Sequence, residues 1–280
     1  MLVLSALVTP SAYAQFTYKA IDVPGAVPPF GTFAWKINNR GQVVGGYAGS
    51  AFAHGFLLDK GASTTFDVPS ATGDTVAIGI NDRGQIVGLY FAGSMFHGFL
   101  LDKGAFSTID FPGAPGPVGT QPLGINDRDQ IVGWYRDALG DHGFLLDNGV
   151  FTTIDVPGST SAQARQVNNR GQIVGPFVAG GKVHGYLLDN GVFTTIDVPG
   201  ATGIGNGANA INNHGQIVGC FFAGDRFHGY LLDKGVFTTI NVPGDAAGGG
   251  TCAIGINDRG QISGQFATPD GTNHGFVAQK

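Results

Sequence analysis

The amino-acid sequence predicts an all-β protein whose strands close into a ring of six four-stranded blades, a six-bladed β-propeller. Three observations carry that prediction. One repeat occurs six times, each copy spells four short strands, and the two ends of the chain complement each other.

Three signatures recur in fixed order. The first is Ile/Val-Asn-Asp/Asn-x-Gly-Gln-Ile/Val-x-Gly, with its leading Asn at Asn38, Asn81, Asn126, Asn168, Asn212 and Asn257. These positions lie 43, 45, 42, 44 and 45 residues apart. The second is His-Gly-Phe/Tyr-Leu-Leu-Asp-Lys/Asn-Gly, starting at His54, His97, His142, His184, His228 and, in a copy that diverges after Phe276, His274. The third is a short apolar-Asp-Val/Phe-Pro segment whose polar position is Asp22, Asp67, Asp110, Asp155, Asp197 and Asn241. Four-stranded repeats of this length are the blades of propellers. Stacked β-solenoids, the alternative, usually have shorter repeats.

Within the second repeat the strands are expected at Ala77–Asn81 (A), Gln85–Tyr90 (B), His97–Asp102 (C) and Ala105–Asp110 (D). The Asn81-Asp82-Arg83-Gly84 segment joins A to B as a type I turn whose last residue has φ > 0. In the third repeat Asp129 takes that Gly's place, and Asp is among the few residues that tolerate the left-handed region. Lys60-Gly61 and Asn148-Gly149 are two-residue hairpin turns between C and D. The stretch that follows, such as Val150–Ile154, is β-branched and aromatic, and Pro then ends it. No helical periodicity of useful length appears.

The last repeat stops at His274–Lys280, where its C–D turn should begin, and so lacks a D strand. Phe16–Pro24 is a D-type strand with no C strand before it. Pairing the two closes the ring and removes two exposed sheet edges.

Leu2–Val8 is a short apolar run, and Ser11-Ala12-Tyr13-Ala14 offers a small-x-small cleavage pattern. Residues 1–14 are therefore expected as a signal peptide, without the usual basic start, and 15–280 as one propeller domain. The run is too short to span a bilayer, so a secreted or periplasmic location is expected. Charged residues make up 12% of the chain and glycines number 48, a composition that fits an apolar β-fold and excludes a disordered polar chain. The net charge of −5 argues against a nucleic-acid partner. The two cysteines, Cys220 and Cys252, cannot build a disulfide framework; buried thiols are the expectation, one pairing after export the alternative. All 20 acidic residues are Asp, which excludes any mechanism that needs a Glu.

The His-Gly-Phe/Tyr signature together with the Asn-x-x-Gly-x-Ile-Val-Gly segment resembles the HAF-type extracellular repeat family of bacteria. The family's middle Ala is Gly in all six copies here. The resemblance covers nearly the whole chain after the leader and implies export and repeat architecture. It carries no activity and transfers no catalytic residue.

With a two-residue C–D turn, the register sets each His opposite the polar residue of the next signature. The pairs are His54–Asp67, His97–Asp110, His142–Asp155, His184–Asp197 and His228–Asn241, with His274–Asp22 formed by ring closure. Facing Cβ atoms in such a ladder lie about 5 Å apart. A carboxylate on one imidazole nitrogen fixes the tautomer and leaves the other free, as a base requires. Six equivalent pairs, however, suit a strand staple better than one catalytic site.

The B–C and D–A connections vary between repeats and share one face of the ring, where binding is expected. Gln121, Asp225 and Arg226 belong to this variable set, and Trp35, Lys36, Arg165 and Gln166 break the sixfold pattern on the innermost strands. Asp74, Asp137, Asp141, Asp245 and Asp270 are candidate oxygen ligands for Ca²⁺. No hydrolase, zinc, phosphate-loop or dinucleotide motif is present. The leading expectation is a non-enzymatic extracellular scaffold for a small molecule, carbohydrate or surface polymer. The alternative is a Ca²⁺-dependent hydrolase of lactones or esters at the channel mouth.

Overall fold

A computed structural model describes residues 16–114, 116–202, 205–246 and 249–280; the leader expected at 1–14 lies outside the described residues. Six antiparallel sheets follow one another around a ring, and each blade runs A–B–C–D. In blade 2 the strands are Thr75–Ile80, Ile86–Ala92, Met95–Asp102 and Ala105–Ile109, within two residues of the bounds read from sequence. The sixth blade takes A, B and C from Thr251–Ile256, Ile262–Ala267 and Asn273–Gln279, and its D strand from Thr17–Ile21. Closure runs from Thr17 opposite Gln279 to Ile21 opposite Gly275. The described residues contain no helix.

Turn chemistry sets this geometry. The C–D turns place Lys60 and Gly61 at φ of 50° and 87°, and the same left-handed pair recurs at Asn148-Gly149. Both residues at positive φ give the primed turn that matches strand twist. Asp129 sits at φ 63° in its A–B turn, as its substitution for Gly requires. The glycine that ends the first signature answers to crowding: a Cβ on Gly88 would run into the Val76 carbonyl and lie 2.9 Å from the Phe99 ring.

Each blade is too thin to bury its own faces, so the cores lie between blades. Val44 of blade 1 packs with Ala77, Ile86 and Phe99 of blade 2, and Ile21 and Val23 pack with Ala34, Val43 and Phe56 where the ring closes. Blade 4 departs from the pattern. Its inner strand is split into Ser161–Ala162 and Gln166–Val167, because the facing Pro176 has no N–H to return to Gln163. The Tyr186 hydroxyl donates to that orphaned carbonyl instead, at 3.0 Å.

Candidate functional site: a polar seam and an asymmetric central chamber

The A–B turns meet at one end of the channel. The signature Asn of each blade donates from Nδ2 to the backbone carbonyl of the signature Asn in the next. Asn38 donates to Asn81, and so on around to Asn257, which donates to Asn38; all six bonds are 2.9–3.0 Å. The next residue forms a second closed circuit: its N–H donates to the side-chain oxygen of its counterpart, at 2.7–2.9 Å, through Asn39, Asp82, Asp127, Asn169, Asn213 and Asp258. Burial pushes the Asp258 carboxyl upward, but donation from Asn213 and Asn39 outweighs it and holds the group below the usual range. Sequence reading took these residues as turn formers. They are also the rivets between blades.

Further along the channel the sixfold pattern fails. On the inner strands the register skips one residue between flanking pairs in five blades, and the skipped residues are Trp35, Ile78, Leu123, Asn209 and Ile254. With Arg165 of blade 4 they line a central chamber of about 460 Å³. Blades 2 and 3 supply an apolar wall of Val76, Ile78, Leu89, Leu123 and Trp134. The remaining arc carries the polar groups, beside Trp35 and Ile254. Lys36 is buried and reaches from blade 1 to the carbonyls of Asn209 (2.5 Å) and Ile254 (3.0 Å). Arg165 donates to Asn209 Oδ1 at 2.5 Å and to Gln163 Oε1 at 3.3 Å.

Both chamber cations are electrostatically uncomfortable. Burial, then the charge of Arg165, pulls the Lys36 amine well below its usual value, and burial lowers Arg165 to about 10. No Asp lines the chamber, and neither cation has an ion-pair partner among the described residues. Trp35 Nε1 and Gln265 Oε1 are buried without hydrogen-bond partners.

Of the residues expected to bind, Trp35, Lys36, Gln121 and Arg165 converge on this chamber. Gln166 lies instead in the smaller basin inside the A–B seam, its Oε1 unpartnered. Asp225 and Arg226 lie at the rim of blade 5, where Arg226 donates to Asp245 at 2.9 Å. Trp134, Asn209 and Gln265 escaped sequence reading, although each departs from its counterparts in the other repeats.

The His pairs form as the register requires. Nδ1 of His54, His97, His142, His184 and His274 lies 2.7–3.2 Å from Asp67, Asp110, Asp155, Asp197 and Asp22. His228 meets Asn241 at 2.9 Å. Each imidazole also packs on the strand-B aromatic beside it, from Tyr47–His54 to Phe266–His274. Blade 3 alone adds a second carboxylate, Asp137, at 3.1 Å from His142 Nε2. Burial opposes protonation of His142, but the bonds and charges of Asp155 and Asp137 prevail and raise its pKa above 6.5.

The acidic residues considered for Ca²⁺ do not converge. Asp74 accepts the Ala53 N–H at 2.8 Å, and Asp141 pairs with Arg136 at 2.5 Å. Asp245 pairs with Arg226 and Thr251, Asp270 with Thr268 and Thr272, and Asp137 with Leu139 and His142. No three His, Cys or Asp side chains among the described residues could hold one ion.

The cysteines correct the expectation of free thiols: Cys220 and Cys252 form a disulfide with Cα atoms 5.0 Å apart. Strand B of blade 5 and strand A of blade 6 come together only when the blades pack, so their separation of 32 residues gave no hint of it. The Asn209 amide lies 3.4 and 3.6 Å from the two sulfurs, which ties the bond to the chamber wall.

No protein-family model matches the chain, and no curated protein does either. Solved structures do. TolB from Acinetobacter baumannii superposes at a TM-score of 0.58 with 14% identity, over 92% of this chain and 66% of TolB. The chain thus spans just under two thirds of TolB's length. A catalytically inactive virginiamycin B lyase from Staphylococcus aureus, solved with quinupristin, gives 0.54 at 12% identity over 95% of this chain and all of the other. A gluconolactonase from Xanthomonas campestris gives 0.52 at 9% identity, over 89% of this chain and 86% of that one. These likenesses establish the propeller fold.

Proposed function

We propose that the protein is an exported binding propeller that holds a small ligand, or the terminal unit of a larger polymer, in its central chamber without transforming it. The observation that carries this reading is the contrast between two sets of residues. The His pairs repeat in every blade and act as staples, whereas Lys36, Arg165, Trp35 and Trp134 each occur once and line one cavity. Its volume of about 460 Å³ falls within the range of small-molecule sites. The Cys220–Cys252 bond supports an oxidising compartment and therefore export.

Hydrolysis of a lactone is the second reading, favoured by the gluconolactonase likeness at the level of fold alone and by His142, the imidazole flanked by two carboxylates. In that environment, however, both ring nitrogens of His142 face carboxylates, so no free nitrogen is left to act as a base. The test is to assay the protein without its leader on a panel of lactones and esters, with Ca²⁺ and with EDTA. No turnover is expected in either condition, with ligand retention unchanged by the chelator. Ca²⁺-dependent turnover lost in Asp137→Ala would overturn the binding reading.

A further inference from the structure

A chamber lined by a buried cation, Lys36, a partly buried one, Arg165, and no anion is chemically incomplete. Removing an ammonium or a guanidinium from water is costly unless an opposite charge or a full set of hydrogen bonds replaces the solvent. Lys36 donates only to two neutral carbonyls, and Arg165 uses two of its five N–H groups on neutral amides. Trp35 adds a third donor, buried with nothing to meet. Donors therefore outnumber acceptors on this side of the cavity, while the opposite wall is aliphatic and aromatic. Beyond the mouth the apolar surface continues: a groove of about 560 Å³ shares Trp35 and Val76 with the chamber and carries the exposed rings of Phe30 and Phe52.

We infer that the chamber's ligand is an amphipathic organic acid, its carboxylate received by Lys36 and Arg165 and its apolar body lying against the wall of blades 2 and 3. A carboxylate has two oxygens and about four lone-pair sites, which suits two cationic donors with the Trp35 indole N–H as a further partner. Cationic ligands are disfavoured by like charge, and neutral sugars leave both cations unpaired. The Phe30–Phe52 groove gives room for a body longer than the chamber itself. The inference rests on the binding reading above and narrows it to one ligand class.

The chain's two tryptophans, Trp35 and Trp134, both line the chamber, so intrinsic fluorescence reports its occupancy directly. Phenylacetate and cyclohexanecarboxylate would each be titrated beside its own primary amide, with melting temperature followed in parallel. Each acid is expected to bind at least about tenfold tighter than its amide, as charge-assisted hydrogen bonds outweigh neutral ones. Each acid should also raise the melting temperature. Arg165→Gln and Lys36→Met should each bring the acid-to-amide ratio below about threefold while amide binding persists. Should either variant not fold, the acid-to-amide ratio of the unaltered protein still decides. Equal binding of acid and amide overturns the anion inference and leaves the chamber as a ligand site. If none of the four compounds perturbs the tryptophans, the chamber reading falls with it.

Discussion

Replacing one seam asparagine with alanine measures what joins the blades. Asn126 is almost fully buried, and its amide makes four hydrogen bonds. Nδ2 donates to the Asn168 carbonyl at 3.0 Å and to Gln130 Oε1 at 2.7 Å; Oδ1 accepts from Arg128 N at 3.0 Å and Gln130 N at 3.1 Å. A buried hydrogen bond contributes roughly 0.5–1.5 kcal/mol net, and an orphaned partner costs more than an absent pair. Four such bonds put the cost of Asn126→Ala at about 2–6 kcal/mol. Asn126→Asp should lose at least as much: it keeps both acceptor contacts but sets a buried carboxylate oxygen against two acceptors, the Asn168 carbonyl and Gln130 Oε1. Equilibrium urea unfolding followed by fluorescence gives both values, with the slope showing whether the ring still opens as one unit. A loss under about 1 kcal/mol for Asn126→Ala would refute the role of the seam. So would a result at Asn126 far from that at Asn81, whose amide makes the same four bonds.

Other perturbations separate architecture from the site. A variant beginning at Val27 loses the closing strand and the burial of Phe16, Ile21 and Val23. At about 1.5–3 kcal/mol per buried side chain it should melt at least about 10 °C lower; an unchanged melting temperature would argue against closure by this strand. His142 should titrate above 6.5 by NMR, and Asp137→Asn should lower that midpoint. Because the folded pKa is raised, the stability His142 contributes is present below 6.5 and fades as pH rises through the folded value, so Asp137→Asn should cost more at pH 6 than at pH 8.5. A midpoint at or below 6.5 would contradict the double-carboxylate environment. For Lys36 the sign reverses: the folded pKa lies below 10.5, so between the two values the unfolded chain holds more protons and stability rises with pH. The unaltered protein should gain stability relative to Lys36→Met across that window, and parallel pH profiles for the two would show that Lys36 is not desolvated.

What the sequence disclosed depended on how far each contact reaches along the chain. The His97–Asp110 pair was legible because a two-residue turn fixes the register of the hairpin that contains it. The closing strand was legible because Phe16–Pro24 spells a D strand whose C strand stands at the other end. The Asn38–Asn81 bond spans 43 residues and two blades, and within one copy its residues look like turn formers, so only packing reveals the seam. Cys220 and Cys252 were misread for the same reason, as neighbours only across a blade junction. Trp35, Lys36 and Arg165 were found as breaks in a sixfold pattern on the inner strand. Trp134 and Gln265 break the pattern on the second strand, which does not look like channel wall until each inner strand skips a residue and the chamber widens to reach it. In a ring of equal blades, a group present in all six has its role set by symmetry, as the stacked histidines do. A group present once is under no such constraint, and its burial without a partner calls for another explanation. Lys36 and Arg165 lie in the interior without an anion, where six-blade symmetry neither demands nor compensates them, and a ligand that supplies the missing charge accounts for both.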